Sequence, residues 1–577
     1  MASTPSAYSE TNTMTDHQAG LTGHTREKES LEDLSLPGTA PPQDAEKNGD
    51  AASKDDAEPE HVYPTGTALA SIIVALILCI FLVALDRTII STAIPVITNE
   101  FNSLGDVGWY GSAYLITAAG FMPVSGKIYS FYPTKWVFLI QIILFEVGSA
   151  LCGWAPNSTA FIIGRAIAGA GSSGLFTGAI VLLTDAVPLH KRSTFMGAFG
   201  GIFGVSGVVG PIMGGAFAQH STWRWSFWIN LPIGAVTVVI ISFIIKAQPA
   251  RKNLTLKEQL KHLDPIGTAI FLPSMICLLL ALQWGGTEYP WSSGRIIALF
   301  VVFGVSIIVF IGVQIWKQEE ASFPPRIFVQ RSIAAGMWYQ TFTGGAMMIF
   351  IYYLPIWFQA IQGVNSTDSG IRLIPIVLSL VLGAMVAGAI VRFMGYYTPF
   401  MIASSIVMSI GSGLLTTLTP TASSGKWIGF QILFGIGLGL GMQQSSIAAQ
   451  AVLKRVDVPI GTSMIMFCQT LGGAVFIAIG QTTFANKLVN GLKEITGNGF
   501  DANQVIHIGA TDVNHVVKPE FLPQVHQAYN DAIVDVFYVA VGASCATIFG
   551  ALAMEWVSTR KDVDEQKKAA TPPPEEV

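Results

Sequence analysis

Apolar residues fall along this chain in long blocks parted by short polar breaks, not at the short repeats of a soluble core. A hydrocarbon layer about 30 Å thick is crossed by about 20 helical residues, and the blocks reach that length. They predict spans near 67–94, 109–131, 135–154, 158–183, 195–218 and 225–246, then 265–284 and 294–316, then 333–358, 370–393, 396–419, 426–452, 461–485 and 532–557. The expected fold is an all-α membrane protein: two six-helix bundles plus two extra transmembrane helices between them, fourteen spans in all.

The breaks predict the domain boundaries. Residues 1–62 are polar, with almost no large aliphatics, so they cannot offset the entropy of ordering and read as a disordered cytoplasmic tail. They lack the basic start and apolar core of a cleavable signal peptide. Next come a first bundle at 63–246, a basic linker at 247–264, two additional helices at 265–316 and a connector at 317–332. A second bundle at 333–558 holds an external loop at 486–530, and a cytoplasmic tail follows at 559–577.

Composition narrows the class. Of 577 residues, 51% are hydrophobic and 12% charged, and mean hydropathy is +0.52, values that make the bilayer the solvent. A net charge of −5 gives no reason to expect nucleic acid. The five cysteines stand singly, without metal or disulfide spacing. With the amino terminus inside, fifteen Lys and Arg fall on inner ends and loops against seven on outer ones, which places both termini in the cytoplasm. Two echoes relate the halves: Gly126 to Pro133 resembles Gly388 to Gly395, and Arg165-Ala-Ile-Ala-Gly169-Ala-Gly171 resembles Gln431-Ile-Leu-Phe-Gly435-Ile-Gly437. Duplicated halves around a midplane site are a recurring transporter plan.

Ionisable groups inside spans are rare because each costs about 2.5–3.5 kcal/mol at the bilayer centre, so they are the place to look for function. Asp86 and Arg87 lie in the outer half of the first span, Glu146 near the middle of the third and Arg165 two turns into the fourth. A carboxylate whose proton affinity follows a nearby arginine can act as a proton switch, which makes Asp86 and Arg165 the first candidates and Glu146 a second carrier. The alternative is a static network that orders the helices. In the fifth span, Ser206, Gly210 and Gly214 recur every four residues, Gly207 and Gly215 widen the bare face, and Pro211 favours a bend. Gln340, Gln443 and Gln444 are candidates for substrate contact, with Trp338, Tyr339 and Phe342 as apolar walls. No phosphate loop or metal-binding pair of histidines occurs, so the expectation is no cofactor and no metal, with a proton gradient as the energy source. The sequons at Asn157 and Asn365 fall on short outer loops, and that at Asn253 on the inner side.

Four stretches together resemble the fungal fourteen-span drug:proton antiporters of the major facilitator superfamily. They are Leu85-Asp-Arg-Thr-Ile-Ile-Ser-Thr-Ala-Ile-Pro95, Gly164-Arg-Ala-Ile-Ala-Gly-Ala-Gly171, Gly207 to Gly215, and Trp223-Arg-Trp-Ser-Phe-Trp-Ile-Asn-Leu-Pro-Ile-Gly234. The resemblance implies the major facilitator fold over about 67–558. It further implies proton coupling through Asp86 and Arg165, and an exporter's antiporter motif around Gly210 and Pro211. The usual charged loop after the second span departs from the family, with Ser130 where aspartate is expected and Pro133 where glycine is expected. Within fungi the chain is similar to pumps for mycotoxins and other secondary metabolites. The expected function is proton-coupled efflux of small amphipathic compounds by a monomer, not an enzyme, in the plasma membrane or a vacuolar one. A siderophore-type importer and a non-transporting solute sensor are the alternatives.

Overall fold

The computed structural model describes residues 63–101, 103, 106–245, 263–286, 289–495 and 517–560. The tail expected at 1–62, nearly all of the linker and the final tail, and the middle of the external loop lie outside the described residues. The chain builds α1 (Gly66–Phe101), α2 (Val107–Phe131), α3 (Thr134–Gly153), α4 (Ser158–Ala186), α5 (Leu189–His220), the short α6 (Trp225–Trp228) and α7 (Asn230–Ile244). Then come α8 (Pro265–Trp284), α9 (Gly294–Lys317) and, after a 3-10 turn, α10 (Pro325–Phe328). The remainder is α11 (Arg331–Gln362), α12 (Ser366–Ile371), α13 (Ile374–Met394), α14 (Thr398–Leu415), α15 (Ser424–Met442), α16 (Gln444–Val452), α17 (Val458–Lys493) and α18 (Leu522–Ala553). Among the described residues, thirteen spans are long and apolar enough to cross a membrane. The less apolar α2 runs parallel to α4, with Tyr110 bonded to Ser158 at one end and Ser125 to Ser173 at the other.

Local chemistry sets the helix ends. Asn157 and Asn365, the asparagines of the two sequons, act as N-caps that accept from Ala160 N (2.9 Å) and Asp368 N (2.7 Å). Gly363 and Gly395 close α11 and α13 at φ +62° and +80°, the left-handed region that glycine reaches without a Cβ clash. Helices do not stop where the hydrocarbon does, so two of them run into the stretch expected as the loop 486–530. There α17 continues to Lys493 and α18 begins at Leu522. The Lys487–Asp535 ion pair (2.8 Å) and the Trp357–Asn530 hydrogen bond (2.9 Å) hold these polar extensions, which apolar counting misses.

Packing depends on small residues that admit a neighbouring backbone. In the first half, a Cβ on Gly148 would lie 2.3 Å from Ala168 N, and one on Gly171 would lie 2.4 Å from Phe145 N, so α3 and α4 meet backbone to backbone. In the second half Gly411 and Gly437 do the same for α14 and α15, at 2.5 Å from Phe434 N and 2.4 Å from Met408 N. The first echo has its own counterpart between the halves: Gly126 of α2 abuts Pro459 O of α17, and Gly388 of α13 abuts Ser193 O of α5. Below, the face where α1 begins is termed the amino-terminal face and the other the far face.

The α8–α9 pair touches both halves. At the far face Trp109 of α2 packs on Trp284 of α8, and Trp291 donates to Thr482 of α17 at 3.0 Å. At the amino-terminal face the buried Lys127 of α2 donates to the carbonyls of Glu319 (3.4 Å) and Ala321 after α9. Asp264 anchors this end. Fully buried at φ +51°, it caps α8 by accepting from Gly267 N (2.9 Å) and also accepts from Gln314 Nε2 (2.7 Å), Ser322 N (3.0 Å) and Lys317 Nζ (2.9 Å).

Burial alone would push the Asp264 carboxyl up, but the donors from Gln314, Lys317, Gly267 and Ser322 outweigh it and hold the group below its ordinary value. A carboxylate held low contributes stability above its unfolded pKa, near 3.9, and that contribution is lost as pH falls through the lowered value. Thermal unfolding of purified protein tests this anchor. Asp264→Ala should lower the melting temperature, at a cost of about 3–5 kcal/mol for stranding Lys317. Asp264→Asn combined with Lys317→Met should recover much of the loss and flatten the acid limb. Equal stability of wild type and Asp264→Ala would remove Asp264 from this role.

Candidate functional site: a buried ion pair and its surroundings

Asp86 and Arg165 are reached by helices whose small residues let them approach. Asp86 lies twenty residues beyond Gly66 in α1, roughly 30 Å along the axis. Arg165 lies seven residues inside the start of α4. Arg165 Nη1 sits 2.6 Å from Asp86 Oδ2, and neither side chain is more than 1% exposed. Arg165 Nε donates to Tyr110 O at 2.9 Å, and the guanidinium lies 4.5 Å from the centroid of the Tyr114 ring. A carboxylate, a carbonyl and an aromatic face thus surround a charge that arginine cannot shed. The neighbouring Arg87 reaches the same ring, its guanidinium 5.7 Å from the Tyr114 centroid.

The other Asp86 oxygen is held from α7. Asn230 Nδ2 donates to Asp86 Oδ1 at 3.3 Å and to Ser149 Oγ at 3.2 Å, both within the buried core. Asn230 stands in the Trp223 to Gly234 stretch, whose first residues tie down the far end of α1: Trp223 Nε1 and Arg224 Nη1 donate to Glu100 at 2.6 Å and 2.8 Å. Sequence reasoning passed over Asn230, Ser149 and the two tyrosines, because a neutral polar residue does not stand out as a buried charge does.

Glu146 does not join the pair. Both of its carboxyl oxygens are buried without a hydrogen-bond partner among the described residues, and they lie against Gly234, where a Cβ would come within 1.8 Å of Oε1. The neutral acid is the form such surroundings accommodate. The fifth-span motif faces two ways. Gly210 receives Thr88 of α1, whose hydroxyl donates to Ser206 O at 2.9 Å, and Gly204 and Gly207 meet Val381 and Val377 of α13. Pro211 lies inside the unbroken α5, Gly214 is buried, and a Cβ on Gly215 would meet nothing within 4 Å.

In the second half the helix expected at 426–452 breaks at Gln443, between α15 and α16. Gln340 Nε2 donates to Met442 O at this break (2.6 Å), and a Cβ on Gly441 would strike the Tyr339 hydroxyl. Gln443 reaches across to Gly200 of α5, 3.5 Å from the position of a Cβ there. The side-chain oxygens of Gln340, Gln443 and Gln444 are buried and find no partner among the described residues. Trp338 lies away from this cluster. It is 48% exposed, donates to Ala546 O of α18 (2.9 Å) and packs on Phe342, which packs in turn on Phe476 of α17. Residues two apart on a helix point to opposite sides, so Trp338 and Gln340 cannot share a wall. A cavity of about 310 Å³, lined by Leu282, Trp291, Ala478, Ile479, Thr482 and Thr483, lies apart from all these residues.

Comparison with known proteins agrees with this architecture. The family described as Major Facilitator Superfamily matches residues 76–477. The chain is 53% identical over 512 residues to the MFS-type efflux pump MFS1 of Arthroderma benhamiae, covering 88% of this chain and 95% of that one. It is 48% identical over 511 residues to the efflux pump aflT of Aspergillus parasiticus, covering 88% and 99%. In fold it is similar to the human organic anion transporter MFSD10, with a TM-score of 0.54 at 13% identity, covering 83% of this chain and all of that one. This integral, multi-pass membrane protein, built from helices that pack by their glycines around a buried ion pair, belongs to the Major Facilitator Superfamily of transporters.

Proposed function

We propose that this chain exports small amphipathic organic compounds, the toxins, drugs or secondary metabolites of a fungus, and that inward movement of protons drives the export. The two relatives named as efflux pumps favour export over siderophore-type uptake and over a sensor. The reading takes α2 as the fourteenth span, giving six, two and six, with both termini cytoplasmic. The amino-terminal face is then the inner one. The protein works as a monomer in the plasma membrane, without a cofactor.

One observation carries the mechanism: the Asp86–Arg165 pair, enclosed in the far half of a membrane bundle. A buried ion pair survives only while its geometry is good. When the halves rock and Arg165 retreats, the stranded carboxylate takes up a proton, and when Arg165 returns the proton leaves. Glu146, without a hydrogen-bond partner among the described residues, is a second proton carrier on α3. Cargo sits between the halves, where Gln340, Gln443 and Gln444 offer amide oxygens beside α5. Ser206, Gly207, Gly210, Pro211, Gly214 and Gly215 let α5 seal against α1 on one side and α13 on the other.

Two experiments test this reading. Asp86→Asn keeps an oxygen for Arg165 but cannot shed a proton, so dye efflux driven by a pH gradient should vanish while surface expression stays near normal. Arg165→Lys should keep part of the activity, because charge remains but the fork is lost. Full gradient-driven efflux by Asp86→Asn would overturn the mechanism. For the seal, Gly210→Val must collide with Thr88, so efflux should fall at least tenfold relative to Gly413→Val, whose added carbons enter open space. Equal efflux by these two variants would remove α5 from the pathway.

A further inference from the structure

We infer that Asn230 is the positioning residue that sets the protonation of Asp86, serving both states of the carboxyl by turning its amide. This inference rests on the reading of Asp86 as proton carrier and extends it to α7. Arg165 occupies only Oδ2 of Asp86, so the fate of Oδ1 depends on Asn230.

The edge of the Asn230 amide that faces Asp86 and Ser149 finds partners in both states. With Asp86 ionised, the two N–H groups of Asn230 meet two acceptors, Asp86 Oδ1 at 3.3 Å and Ser149 Oγ at 3.2 Å. The amide oxygen is then buried, with no partner among the described residues. When a proton binds Oδ1, that atom becomes a donor. A half-turn about the terminal torsion brings the amide oxygen round, and its two lone pairs can accept from the Asp86 O–H and from the Ser149 hydroxyl, which donates as readily as it accepts. The proton stays on Oδ1, no covalent bond changes in the amide, and Asn230 remains neutral throughout.

The surroundings leave this work to Asn230. The ionisable groups interacting with Asp86 are Arg165 on α4, Tyr114 on α2, and Cys152 and Glu146 on α3, with Arg87 next to it on α1. Helices α6 and α7 carry no ionisable side chain, and those of α5 lie at its two ends. Glu146 and Ser149 are three apart on α3, and Asn230 and Gly234 are four apart on α7, so each pair shares a face. Ser149 bonds Asn230 while the Glu146 carboxyl lies on Gly234, which places the second acid one turn away across the same seam.

Infrared titration of the purified full-length protein in phosphatidylcholine vesicles tests this without a cargo. The protonated-carboxyl band that disappears in Asp86→Asn identifies Asp86. In Asn230→Leu this band should persist to higher pH by about one unit, a tenfold change in proton affinity, because the charge-assisted bond lost by the ionised form is the stronger of the two. Its C=O frequency should also move, because the acid has lost its acceptor. Asn230→Ser, too short to reach Asp86 and too small to overpack, should shift the band the same way and decides the matter if the leucine variant does not fold. An unchanged midpoint and frequency in a folded Asn230 variant overturns the inference and leaves Asp86 as carrier. If Asp86→Asn removes no titrating band, the underlying reading fails and the role of Asn230 with it.

Discussion

A guanidinium keeps its charge at any pH a cell reaches, and where it is buried in a bundle that charge has to be answered by the protein around it. Arg165 imposes this condition on the first half. It requires α1 to bring a carboxylate, α2 to bring a carbonyl and the face of Tyr114, and α7 to bring an amide for the oxygen left over. Four helices are thereby fixed in register by one side chain. The glycines of α3 and α4 make it possible, since any Cβ at Gly148 or Gly171 would drive those backbones apart.

The second half keeps the scaffold and omits the charge. Gly435 and Gly437 repeat the packing of Gly169 and Gly171, meeting Ile376 O and Met408 N where the first half meets Tyr114 O and Phe145 N. At the position matching Arg165 stands Gln431, fully buried with neither end of its amide partnered. The buried ion pair thus stands in one bundle, and in the other amides gather at the break around Gln443.

Much of this was legible in the residues, for a physical reason. A charge in an apolar block is conspicuous, so Asp86, Glu146 and Arg165 could be singled out before any contact was known, and the two glycine echoes pointed to seams that do correspond between the halves. Asn230 was not legible as a site residue, because an amide in a span has many innocent uses and only geometry shows which one applies. The helical extensions at Lys493 and Leu522 were hidden for a different reason. Apolar counting finds where hydrocarbon ends, whereas a helix ends where its hydrogen bonds run out. The breaks at Ile229 and Gln443 were hidden too, since apolar counting runs through both, although Pro232 and Gly441 stand near them.

The seams within each half differ in kind from those between the halves. Gly126 against Pro459, Gly197 against Ala384 O and Gly388 against Ser193 O are contacts of shape alone. An ion pair that bridges the halves at the amino-terminal face, Arg455–Asp185, is part-buried and lies where α4 and α16 end, not in mid-bundle. Parting such surfaces strands no charge in oil and orphans few donors. The molecule therefore comes apart along its least adhesive lines, and the two halves can trade one arrangement for another at thermal cost while the glycine seams inside each stay closed.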